Sequence, residues 1–87
     1  MVFASIENDA HDRCVDVFYR PDRTFGFEEF RRDVEDAGAW TPVQYFSGMA
    51  YVTPGDAYEA AERLVPWFAA VLKAAPSLKR LPARPTE

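Results

Sequence analysis

Between Thr53 and Ala75 the chain reads TPGDAYEAAERLVPWFAAVLKAA, and the placement of its apolar residues commits the rest of the sequence to one architecture. At helical spacing, Ala57, Tyr58, Ala60, Ala61, Leu64, Val65, Trp67, Phe68, Val71 and Leu72 fall in one arc of about 180°, with Glu59, Glu62, Arg63 and Lys73 opposite. An arc that wide, with alanines near its centre, fits close approach to a sheet. Thr53 is placed to cap the helix N-terminus, Pro54 to occupy the first helical position, and Asp56 to meet the positive end of the dipole. Pro66 removes the bond to the Glu62 carbonyl, but on the wheel it lies on the polar side, where water can satisfy the freed group. The expectation is one kinked amphipathic helix, with the kink near Arg63 to Pro66.

The sheet for this helix is upstream. Cys14 to Arg20 is rich in β-branched and aromatic residues, with Val15, Val17 and Tyr19 on one face. Pro21 to Thr24 makes the turn. In the next strand, Phe25 to Arg32, the residues Phe25, Phe27, Glu29 and Arg31 share one face and Gly26, Glu28, Phe30 and Arg32 the other, so the alternation does not say which face is inward. Asp33 to Gly38 is a second turn. Trp40 to Val52 reads as a third strand, blunted at Pro42 and bent at Ser47-Gly48. Residues 1–12 open with Val2, Phe3 and Ile6 and then turn polar, which leaves an extra strand and a loose arm both open. After Ala75 the prolines 76, 82 and 85 and the basic residues imply a disordered tail over 76–87. The predicted fold is α+β: a three-stranded antiparallel meander followed by one kinked helix on one sheet face, β-β-β-α, in a single domain over residues 1–75.

Eighty-seven residues suffice for one modest core, and 48% apolar residues exclude a disordered chain. No run of about 18 apolar residues and no basic-apolar leader at Met1 is present, so a chain off the membrane, in the cytoplasm, is expected. A single cysteine, Cys14, excludes an intramolecular disulfide. Abundant Ala and Arg with two Lys suggests a GC-rich bacterial genome. Residues 1–75 carry 13 acidic and 7 basic side chains, a field that repels phosphate backbones and membrane surfaces and favours protein partners.

Four constellations invite chemistry. His11 and Cys14 are the only His and Cys, but on an extended segment they project to opposite faces, and the Cys/His set needed for structural zinc is missing. Asp33-x-Glu35-x-Ala37-Gly38 imitates half a calcium loop but lacks an oxygen ligand at its fifth position and has Gln44 at its twelfth, so the turn reading stands. Glu28 and Glu29 face opposite ways and do not converge as an acid/base pair. Arg23-Thr24-Phe25-Gly26-Phe27-Glu28-Glu29-Phe30 matches an RNA-recognition pattern at five of seven defined positions, but too few residues precede it for that fold, and its glutamates repel phosphates. No catalytic residue, cofactor site or metal site is expected.

Two layouts are similar to known families. The order hairpin, turn, strand ending in Ser47-Gly48-x-x-Tyr51, then a helix beginning near Thr53 resembles the small bacterial YegP-like domains. Thr53-Pro54-Gly55-Asp56 followed by Glu59-Ala60 resembles the helix start of HicB-like antitoxin domains, which share a β-β-β-α core; the Pro-Asp-Leu-Pro-Gly stretch usual in that family has no counterpart here. The antitoxin likeness implies a partner-binding domain. The residues themselves lead first to a non-enzymatic protein-interaction module, self-associating as a dimer or binding another protein, through aromatics left without cover: Tyr19, Phe25, Phe27 and Tyr45. The alternative is a single-stranded nucleic-acid binder in which the aromatic hairpin stacks bases and Arg31 and Arg32 meet phosphates.

Overall fold

The computed structural model describes residues 1–33, 35 and 37–83. It is an α+β chain in which four antiparallel strands lie in sequence order: β1 (Val2–Glu7), β2 (Arg13–Tyr19), β3 (Phe25–Arg32) and β4 (Trp40–Pro42). Two helices follow, α1 (Pro54–Leu64) and α2 (Pro66–Ala74). The architecture therefore has one strand and one helix more than the expected meander with a single kinked helix.

Of the two alternatives for residues 1–12, the strand is realised. β1 pairs with β2 from Val2↔Phe18 to Glu7↔Cys14, with an irregularity between Val2 and Ala4 that turns Phe3 toward the helices. There Phe3 makes edge contacts with the Phe25 and Tyr58 rings. The polar run Glu7 to Asp12, which made this segment look loose, is the turn: Asn8 Oδ1 accepts from the backbone N–H groups of Asp12 and Arg13, and His11 adopts a φ of 59°.

The third expected strand, Trp40 to Val52, contracts to Trp40–Pro42. Val43 N–H still donates to Glu29 O at 2.9 Å, and then the chain leaves the sheet through a 3₁₀ turn, Phe46–Gly48. It returns at Tyr51, which exchanges two backbone bonds with Phe25. Pro42 cannot extend the ladder, and the excursion folds inward so that Phe46 stacks on Phe27 with ring centroids 5.0 Å apart. The turn after β3 includes Val34 and Asp36, which lie outside the described residues, as do residues 84–87 of the expected tail. Ala37 and Gly38 both take positive φ there.

The helix start is as the sequence implies: Thr53 Oγ1 accepts from Asp56 N at 3.0 Å and Pro54 opens α1. The single kinked helix is corrected to two. Val65 is extended at φ −126° and ψ 91°, the conformation that a following proline imposes, and it closes α1 and opens α2 at once. Its side chain is buried between them. Leu64, expected in the core, ends α1 and is 41% exposed, while the extended Val65 beside it is buried.

Both helices cover one face of the sheet. Ala4, Ile6, Val15, Val17 and Phe27 from the strands meet Ala57, Tyr58, Ala60, Ala61, Val65, Phe68 and Leu72. Residues 76–83, expected within a loose tail, run against α1: Tyr58 Oη donates to Arg80 O, and Lys79 Nζ lies 3.2 Å from Glu62 Oε2. No described helix is long and apolar enough to cross a membrane.

Candidate functional site: the open face of the sheet

Strand pairing fixes what the other face carries, because directly opposed residues share a side. The rows Ser5↔Asp16↔Glu28, Glu7↔Cys14↔Phe30↔Pro42, Phe18↔Gly26 and Arg32↔Trp40 all point away from the helices. The resulting surface holds three aromatic rings, Phe18, Phe30 and Trp40, two arginines and a polar cluster.

This placement corrects the surface expected from sequence. Phe27 is 0% exposed and sits in the core, while Phe25 and Tyr19 share the covered side, their rings 5.3 Å apart. Phe27 is thus not available to stack bases or to meet a partner, and Phe25, half-buried, packs on Phe3 and Tyr19 at the margin of the core. The physical reason is parity: Phe27 opposes Val17, whose neighbours are the helices, and a strand with aromatics on both faces gives no internal sign of which is inward. Tyr45 is 87% exposed but on the excursion after β4, apart from the sheet face. Arg31 lies on the covered side and reaches Asp33 Oδ2 at 3.5 Å; Arg32 is on the open side.

The two open-face arginines are held in place. Arg20 donates to Thr24 Oγ1, to the carbonyls of Phe25 and Met49 at 3.2 Å each, and to the Ser47 carbonyl, tying the excursion to the β2–β3 turn. Its guanidinium lies 4.8 Å from the Phe18 ring centre. Gly26 makes this possible, since a Cβ there would come within 2.7 Å of Arg20 Nη2 and 2.8 Å of the Phe18 ring. Arg32 donates to His11 O and its guanidinium stands 4.8 Å from the Trp40 ring centre.

Between these rings lies a shallow pocket of about 180 Å³ lined by Ser5, Glu7, Cys14, Asp16, Phe30 and Trp40. Ser5 Oγ donates to Asp16 Oδ1 at 2.7 Å and lies 3.2 Å from Cys14 Sγ, which itself donates to Asp16 Oδ1 at 3.4 Å. Burial pushes the Cys14 thiol up to about 11, and the nearby Asp16 carboxylate adds to the shift, so the sulfur is held as a thiol at neutral pH. His11 does not serve it; its Nδ1 is 3.1 Å from Glu7 Oε1.

The adjacent glutamates have separate structural roles. Glu29, on the covered side, accepts from Trp67 Nε1 at 2.8 Å, and Glu28 accepts from Phe46 N at 3.1 Å. Both are largely buried and each is satisfied by a donor far along the chain. No group of three or more metal-ligating side chains occurs among the described residues. No family model matches the chain, and neither a curated protein nor a solved structure does.

Proposed function

We propose that this chain is a non-enzymatic protein-interaction module whose contact surface is the open face of the sheet, with self-association through that face included. The observation that carries the reading is the one-sided packing: both helices lie on one face, and Phe18, Phe30 and Trp40 stand on the other. Aromatic residues with fixed arginines beside them are the composition of protein contact surfaces rather than of solvated ones. The non-enzymatic part is supported by the state of Cys14, a thiol whose pKa is raised and whose one possible imidazole partner, His11, contacts Glu7 instead.

A nucleic-acid reading would now use Phe18, Phe30 and Trp40 as the stacking platform. It is the weaker one, because Glu7 and Asp16 share that face, its arginines are engaged with backbone carbonyls, and the chain carries a net charge of −4.

Sedimentation over a range of concentrations, with Phe30→Ser and Trp40→Ser beside the wild type, tests the proposal. A dimer that both substitutions dissociate supports the self-associating form. A wild type that stays monomeric, together with equal recovery of the same proteins by wild-type and Trp40→Ser baits, contradicts the reading.

A further inference from the structure

We infer that the open-face pocket receives a basic side chain, arginine or lysine, presented by a partner polypeptide. The inference rests on the reading of that face as a contact surface and adds the chemistry of what enters it. The cavity, about 180 Å³, corresponds to roughly six times the share of liquid volume held by one water, room for a guanidinium or ammonium head with part of its stem.

Its lining combines the carboxylates of Glu7 and Asp16 with the rings of Phe30 and Trp40. A cation is the one class of group that both halves attract: it makes charge-assisted hydrogen bonds to carboxylates and is drawn to aromatic faces. An anion would meet two negative groups, and a purely apolar group would bury them without a partner. Each carboxylate keeps an oxygen for the task. Asp16 Oδ1 is taken by Ser5 and Cys14, and Glu7 Oε1 by His11, while no donor among the described residues reaches Asp16 Oδ2 or Glu7 Oε2.

The chain's own arginines supply an independent indication. On this same face two guanidiniums already rest on rings, Arg20 on Phe18 and Arg32 on Trp40, each at 4.8 Å. The face thus already seats guanidiniums on its rings, and Phe30 is the ring of the pocket on which no described cation rests. A net charge of −4 draws basic partners toward it. A polypeptide is favoured over a free small cation because Trp40, 37% exposed at the pocket wall, offers apolar area outside the cavity that only a longer occupant can use.

The test is a titration of the isotope-labelled chain, followed by NMR, with three probes: acetyl-Gly-Arg-Gly amide, the same peptide with citrulline for arginine, and guanidinium ion. The arginine peptide is expected to give saturable shifts at the Trp40 indole N–H and the Ser5 and Asp16 amides, to bind more tightly than guanidinium, and to lose roughly tenfold or more in affinity when Glu7→Gln and Asp16→Asn are combined. Glu7→Gln alone, on an exposed strand-end side chain, gives a weaker form of the same loss if Asp16→Asn disturbs the strand. Absence of a saturable shift, an equal response to the citrulline peptide, or undiminished affinity in the variants overturns the inference. Guanidinium binding as tightly as the peptide overturns the polypeptide source. These failures leave the sedimentation and recovery results at Phe30 and Trp40 untouched, so the pocket and the contact surface stand or fall separately.

Discussion

The two faces of the sheet are built from alternate residues of the same strands, yet they solve different problems. The covered face carries Ala4, Ile6, Val15, Val17 and Phe27, small or stiff side chains that let α1 and α2 approach, and its one carboxylate, Glu29, is matched by the Trp67 indole. The open face carries Ser5, Cys14, Asp16, Phe18, Phe30 and Trp40, large rings around a hydrogen-bonded polar cluster, with arginines laid across the rings. Apolar area on the first is buried against the helices, whereas on the second Phe18 and Phe30 are half-buried and Trp40 is exposed. Large aromatic residues therefore do not by themselves mark an interaction surface here; those on the covered side are core and those on the open side are not.

That contrast can be broken by substitution. The largest effect is expected at Phe27, which is wholly buried and stacked on Phe46: Phe27→Ala should cost about 3–5 kcal/mol in denaturant unfolding, whereas Trp40→Ser, which removes a partly exposed ring and its contact with Arg32, should cost about 1 kcal/mol. Next is Glu29→Ala, which leaves the Trp67 N–H without its acceptor and should cost about 1–3 kcal/mol, with part recovered when Trp67→Phe is added. The smallest is a slope in alkaline solution. Native Cys14 holds its proton to about 11 while the unfolded thiol releases it near 9.0, so between these values the unfolded state binds fewer protons and stability falls as pH rises. Cys14→Ala should remove that component between about pH 9 and 11, leaving the later decline that Tyr58, raised by burial from 10.0 to about 12, adds at higher pH.

What was legible in the sequence was what is local. The Thr53 cap, the Pro54 start and the strands around Val15 to Tyr19 and Phe25 to Arg32 depend on residues within a few positions of one another, and they form as read. The break at Val65 was also local, but the solvent-side position of Pro66 on the wheel argued for continuity and outweighed the restriction that proline places on the residue before it. The inward face of β3 was not legible, because Phe25 and Phe27 on one side and Phe30 on the other give opposite answers, and only the helices decide between them. The site was missed for the same reason. Its lining comes from all four strands, and β1 and β4 were the two whose extent the polar run after Ile6 and the interruptions at Pro42 and Gly48 obscured.

Which face is open is the central claim, and thiol accessibility measures it most directly. In a Cys14→Ser background, a single cysteine is introduced either at Val17, on the covered side, or at Phe30, on the open side, and its reaction with a maleimide is timed under native conditions. The predicted result is rapid modification at position 30 and modification at position 17 only through opening of the fold, slower by orders of magnitude. Equal rates at the two positions, or faster reaction at position 17, would contradict the assignment of the faces and with it the proposed contact surface.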